Sequence, residues 1–213
     1  DNVSSPAITG ITSTQIKYIT SHKSRLWVIL KNTMEAYYFP TGGFGAATLF
    51  DLRPVFTRSG TLVAIETWSI DGGYGLDDHL VFITSNGEVA VYQGTDPGFA
   101  ETWAIVGLYY FSTPVGTRPL YKYGGDLLVL TMDGMFQLSQ SLQSSRVNTK
   151  TSVTDKIQFA LGEAISAKLT NYGWQMASSP SENALLINVP TSTTTWEQYV
   201  MNTITKAWAQ FTG

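Results

Sequence analysis

Residues 71–78, Asp71-Gly72-Gly73-Tyr74-Gly75-Leu76-Asp77-Asp78, place three carboxylates in a glycine-rich stretch, the raw material of a calcium site. Asp71, Asp77 and Asp78 do not follow the alternating acidic spacing of a calcium loop, so a solvated connector between two strands is the expectation. Gly73-Tyr74-Gly75 lacks the third glycine of a dinucleotide fingerprint and precedes a strand pattern rather than a helix, which argues against a bound cofactor. The second glycine-rich stretch, residues 41–47, carries no Lys-Ser or Lys-Thr to meet a phosphate and reads as a turn.

Two histidines are present, His22 and His79. His79 follows Asp77-Asp78, and serines are plentiful, yet no Gly-x-Ser-x-Gly nucleophile elbow accompanies them; a structural histidine at a strand start is expected. A glycosidase needs two carboxylates, and Asp71, Asp77, Asp78, Glu66 and Glu101 are available without any spacing that singles out a pair. Trp27, Trp68, Trp103, Trp174, Trp196 and Trp208 are the side chains able to stack on a sugar or a base. Trp103 and Trp208 occupy equivalent places in a repeat described below, which assigns them to packing between sheets, whereas Trp196 lies in a polar loop and is expected at the surface. No catalytic residue, cofactor site or metal site is assigned.

Composition narrows the classes further. The 213 residues contain no cysteine, which excludes disulfides, thiolate metal sites and thiol nucleophiles. Charged residues are 14% against 43% hydrophobic, and the net charge of −3 is dispersed, so there is no basic stripe to hold a phosphate backbone. No apolar run approaches the roughly 20 residues of a spanning helix, and no signal-peptide layout opens the chain. With Asp1 at its start, the chain is expected to be a processed product or, as the preferred reading, an excised portion of a longer protein.

The elements that would position these residues repeat. Leu26-Trp27-Val28-Ile29-Leu30 recurs as Leu80-Val81-Phe82-Ile83, Leu127-Leu128-Val129-Leu130 and Leu185-Leu186-Ile187, about 47 to 58 residues apart. Each run leads through a turn to a second strand: Asn32-Thr33, Asn86-Gly87 and Asp133-Gly134 mark the first three turns, the latter two as two-residue hairpins, and a longer polar loop, residues 191–195, marks the fourth. The partner strands are residues 35–39, 88–92, 135–138 and 198–202. A third strand lies about 23 residues beyond each leading leucine, at Leu49, Trp103 and Trp208. Another precedes each run, over residues 16–20, 62–68, 120–123 and 173–177. The expected fold is all-β, with β-propeller-like repeats of four-stranded antiparallel blades over residues 1–213, in units of about 16–61, 62–118, 119–172 and 173–213.

The third unit departs from the pattern. Ile157, Ala160, Leu161, Ala164, Ile165 and Leu169 recur at helical spacing behind Thr154-Asp155, with Thr154 as a side-chain cap, so one inserted α-helix is expected near 155–169 with its apolar stripe in the core. It is the expected place for the propeller to join another part of a larger chain. Connecting loops form propeller rims, so partner contacts are expected at residues 71–78, 94–101 and 191–196, with Asp71, Tyr74, Asp77, Asp96, Phe99 and Trp196 as candidates.

Four stretches carry a family likeness. The run from Asp77-Asp78-His79-Leu80-Val81-Phe82 through Ser85-Asn86-Gly87-Glu88 to Gly94-Thr95-Asp96-Pro97 resembles tail proteins of short-tailed bacteriophages. So do Lys122-Tyr123-Gly124-Gly125-Asp126-Leu127, Ser144-Ser145-Arg146-Val147-Asn148-Thr149, and Val200-Met201-Asn202-Thr203 leading to Ala207-Trp208. The likeness is to tail nozzle or tail hub proteins and the related packaged-DNA stabilisation proteins. It implies a non-enzymatic β-propeller subunit of a homo-oligomeric ring, commonly a hexamer. Such a subunit is made in the host cytoplasm and lies in the virion below the portal, beside portal, adaptor and fibre proteins. DNA would pass through the ring without specific binding, and no membrane is involved. A carbohydrate-binding propeller module for host-surface recognition and a propeller glycosidase are the alternatives.

Overall fold

Four apolar runs that read as continuous rather than alternating call for cover on both faces, which the first three receive, whereas the fourth is buried on alternate residues. The computed structural model describes residues 8–71, 76–141 and 152–212, which form fifteen strands in four antiparallel sheets. Two compact units divide the chain, Asp1–Leu108 and Tyr109–Gly213, with two sheets centred in each.

In the first unit, β1 (Ile16–His22), β2 (Arg25–Leu30), β3 (Glu35–Tyr38) and β4 (Thr48–Asp51) make one meander, each strand bonded to the next. β5 (Leu62–Asp71), β6 (Leu76–Thr84), β7 (Glu88–Gly94) and β8 (Trp103–Tyr110) make the second. The repeated apolar run is always the second strand: Trp27, Val28 and Ile29 of β2 and Leu80, Val81, Phe82 and Ile83 of β6 are buried. Between the sheets, Trp27 stacks on Trp103 with centroids 5.6 Å apart, Trp103 on Tyr92 at 5.7 Å, and Phe50 meets all three rings edge-on.

The first strands of the two meanders are joined by side-chain hydrogen bonds. Lys17 Nζ donates to the Leu62 carbonyl (2.9 Å), Thr20 Oγ1 to Glu66 Oε1 (2.8 Å) and Thr67 Oγ1 to the Ser21 carbonyl (2.7 Å). The connector from β4 to β5 is tied to the β6–β7 turn. Glu88, fully buried, accepts from the Thr57 and Arg58 amides (3.0 and 2.8 Å) and from Thr57 Oγ1 (2.6 Å). Asn86 Nδ2 donates to the Ser59 carbonyl and the Thr61 amide to Ser85 Oγ.

The second unit repeats this logic with a shorter sheet. β9 (Leu120–Tyr123), β10 (Asp126–Thr131) and β11 (Gly134–Gln137) form a three-stranded meander, and β12 (Gln175–Ser179), β13 (Ala184–Pro190), β14 (Trp196–Asn202) and β15 (Trp208–Thr212) a four-stranded one. Among the described residues, helices follow β11 instead of a fourth strand: α1 (Leu138–Ser141), then a 3-10 turn at Asp155–Ile157 that runs into α2 (Gln158–Lys168). The expected helix is therefore present over nearly its expected span. Leu161, Ala164 and Ile165 seat it on a core shared with Leu128, Leu130, Met176, Leu185 and Ile187. Tyr199 Oη donates to the Ala160 carbonyl, and Trp174 Nε1 donates to the Lys168 carbonyl at the helix end.

Four expectations change in detail. The Asn86-Gly87 turn is a three-residue loop: Gly87 donates to the Thr84 carbonyl, and its φ of 78° makes it the left-handed closing residue. In the first sheet the inward residue is Phe50, one place beyond Leu49, which is exposed; the row Ile29–Ala36–Phe50 faces the core. A single-residue offset moves a strand residue to the other face. Thr154 makes no side-chain cap, because its hydroxyl accepts the Met135 amide and pairs with Ser152 Oγ beside the β10–β11 turn. Leu138 opens α1 rather than closing β11.

Two expectations for stability follow. Glu88→Ala leaves two amides and a hydroxyl without their acceptor and should cost about 3 kcal/mol, read as a lower urea midpoint with an unchanged slope. Burial holds the phenols of Tyr92 and Tyr199 above their ordinary value of 10.0, and for Tyr199 the carboxylates of Glu197 and Glu163 add to the effect. A folded-state value above the unfolded one gives stability that is complete below 10.0 and lost as pH rises through the folded value. Unfolding midpoints should therefore fall on the alkaline side of pH 10.0, and less steeply in Tyr92→Phe.

Candidate interaction surfaces

The side chains with the richest chemistry are used as structural ties. His22 is buried, its Nδ1 lying 3.3 Å from Thr67 Oγ1. Since the Thr67 proton goes to the Ser21 carbonyl, Nδ1 is the donor in that contact. His79 is buried within β6 with its ring against Trp68, centroids 5.7 Å apart. Glu66 accepts from Thr20 and from the Thr67 amide.

β5 runs to Asp71 and β6 starts at Leu76, and the two strands pair antiparallel with Ile70 opposite Asp77 and Ser69 opposite Asp78. Asp78 accepts from Ser69 Oγ and lies 3.7 Å from Lys23 Nζ. Tyr74 and the side chains of Asp71 and Asp77 lie outside the described residues. Among the described residues no three His, Asp or Glu side chains come together as a metal site would require.

The rim loop after β7 is built to a fixed shape. Arg25 Nη2 pairs with Asp96 Oδ2 at 2.7 Å, and the same guanidinium lies 5.7 Å from the centre of the Tyr38 ring. Asp96 Oδ1 accepts the Gly98 amide, the Asp96 carbonyl accepts the Phe99 amide, and the Phe99 carbonyl accepts the Thr102 amide. These bonds form successive tight turns that share Phe99, 64% exposed. Of the two expected contact residues here, Phe99 is presented and Asp96 holds the presenting loop.

In the second unit, Trp196 opens β14 opposite Pro190 rather than lying within the loop, and is 46% exposed. It borders a cleft of about 420 Å³ with Thr194, Thr195, Gln198, Phe211 and Thr212. The position of its indole is constrained from behind: Gly173 has φ +121°, and a Cβ there would come within 3.0 Å of Trp196 Nε1 and 3.6 Å of Pro190 Cβ. Gln198 Nε2 donates to Asn188 Oδ1 at 2.8 Å. A second and wider groove, about 740 Å³, runs along α2 past Met132, Leu161 and Ile165, with Phe159 beside it 91% exposed.

Sequence reasoning missed Gln198, Phe211 and Phe159. Gln198 lies two residues from Trp196 on β14, and Phe211 comes beside the pair only through the β14–β15 ladder, in which it is the partner of Gln198. Phe159 lies off the apolar stripe of α2, and that departure from the helical period was its available signal.

The architecture defines the class as an all-β, propeller-like protein of successive antiparallel meanders with one inserted helix. No protein-family model matches the chain, and no curated protein sequence does. Among solved structures it is similar to apo AztD from Citrobacter koseri, at 9% identity and TM-score 0.45, over 92% of this chain and 46% of that one. It is also similar to the AfRom2 CNH domain, at 12% identity and TM-score 0.48, over 93% of this chain and 71% of that one. The class rests on the meanders themselves rather than on these likenesses.

Arg25→Ala should release the rim loop. Amide hydrogen exchange at Gly98, Phe99 and Thr102 is expected to quicken about tenfold, equivalent to ~1.4 kcal/mol of lost local protection, while the β6 amides stay protected.

Proposed function

We propose that this chain is a non-catalytic structural component of a bacteriophage tail, part of a nozzle or hub subunit whose ring lines or closes the DNA channel below the portal. The observation that carries the reading is the likeness of residues 77–97, 122–130, 144–149 and 200–208 to such tail proteins. The first of these stretches builds the β6–β7 hairpin, and Glu88 within it ties down the connector between two sheets. The product of such a sequence is shape. Its two histidines are buried against Thr67 and Trp68, which suits a scaffold. A net charge of −3 with dispersed basic residues would let a duplex slide without adhering.

Purified virions are the test. The chain should be found among their proteins by mass spectrometry, and the gene product that contains it should form a closed ring, alone or on its portal, by negative-stain microscopy. Absence from the particle together with a strictly monomeric product would falsify the reading.

A further inference from the structure

We propose that the cleft beside Trp196 is a binding site for a neutral pyranose, with the indole as its stacking platform. Of the six tryptophans, Trp27, Trp68, Trp103 and Trp174 are buried and Trp208 is packed against the core of its unit, so Trp196 alone offers a large part of its ring to solvent. A single exposed aromatic is ordinary. This one is held in place: Gly173 approaches the indole nitrogen, Pro190 lies opposite in the ladder, and the ring borders a concave space rather than a flat face. A platform fixed before the ligand arrives loses little freedom on binding.

The polar half of the cleft is equally constrained. Ser192 Oγ accepts the amides of Thr194 and Thr195, both at 3.2 Å, and Thr195 Oγ1 lies 2.6 Å from Thr191 Oγ1, which closes the loop into a compact turn. The bond to Asn188 sets the plane of the Gln198 amide. Two aromatic rings, one amide and three threonines line the space, with no charged residue among them. The nearest carboxylate on β14, Glu197, is held by Lys168 at 3.0 Å and by Gln210 at 3.0 Å.

That chemistry selects its ligand class. A phosphate or a carboxylate finds no cation in the lining, and a purely apolar ligand would cover the hydrogen-bonding capacity that remains on the Gln198 amide and the threonine hydroxyls. A pyranose presents an axial C–H face to an aromatic ring and a rim of hydroxyls to amides and threonines. The volume of about 420 Å³ falls within the range of small-ligand sites. The proposal stands apart from the tail reading: a tail protein need not bind sugar, and a sugar-binding module need not form a ring.

The experiment is a titration of the 213-residue chain, labelled with nitrogen-15, with the neutral methyl glycosides of glucose, galactose, mannose and N-acetylglucosamine and with their β- and α-linked disaccharides. The six indole N–H resonances report directly, with the Trp196 peak assigned from Trp196→Phe. Saturable movement of that peak with at least one sugar, at millimolar concentration or below, is expected. Trp196→Ala should weaken binding about tenfold or more, equivalent to ~1.4 kcal/mol, and Trp196→Tyr should retain part of it. If Trp196→Ala loses its dispersed spectrum, Gln198→Ala decides, with a loss of affinity expected and the Trp196 peak still present. The proposal is overturned if no sugar moves the Trp196 resonance, if binding is unchanged in the variant that remains folded, or if a nucleotide or an acidic sugar saturates the same peak more tightly than every neutral one.

Discussion

Covering the second strand of the first three meanders on both faces is the constraint from which the architecture follows. β6 makes the case most fully: Leu80, Val81, Phe82 and Ile83 are consecutive and all are buried, so neither face of the sheet can be left to water. One face is met by the aromatic stack of Trp27, Phe50, Tyr92 and Trp103, assembled from both sheets of the unit. Strands farther from that requirement are correspondingly relaxed. β15, at the edge of the last sheet, is exposed over most of its length, and Phe211 on it faces a cleft instead of a core.

Polar side chains then decide how each sheet is fixed to the next segment. Thr20, Glu66, Thr67 and His22 satisfy one another where two first strands meet. In the second unit Tyr121 Oη and Ser178 Oγ, 2.7 Å apart, make the corresponding contact between β9 and β12. The β10–β11 turn is held by Ser152 and Thr154 much as the β6–β7 turn holds the connector through Glu88. The hydroxyls of Thr20 and Thr67 and the carboxylates of Glu66 and Glu88 thus close hydrogen bonds between neighbouring segments, which a β protein with little charge has few other means to do.

Much of this was legible beforehand because β structure with a long repeat writes its period into the chain. The four leading runs and the inserted helix could be located from apolar spacing, whereas the turn dipeptides were placed only approximately: Gly134 opens β11 opposite Thr131, so that Met132-Asp133 is the two-residue turn. What failed did so for local physical reasons. Leu49 and Phe50 are both bulky and apolar, and only the ladder to Ala36 and Ile29 reveals which faces inward. Thr154 has the right type and place for a cap, but a competing buried amide on Met135 claims its hydroxyl. The candidate surfaces were half readable: Phe99 and Trp196 stand out by type within polar stretches, whereas the clasp from Arg25 and the approach of Phe211 to Trp196 arise from pairings between separate segments.

The strap from β4 to β5 illustrates what such ties mean for change by insertion and deletion. Surface connectors ordinarily drift in length because nothing measures them. This one is measured at Thr57, Arg58, Ser59 and Thr61, each bonded to a side chain of a turn more than twenty residues away. A residue added or removed between the first and last of those points would put every later group out of step with its partner. The connector is thus a ruler in protein form, and its length is as much a property of the fold as the identity of any residue in the core.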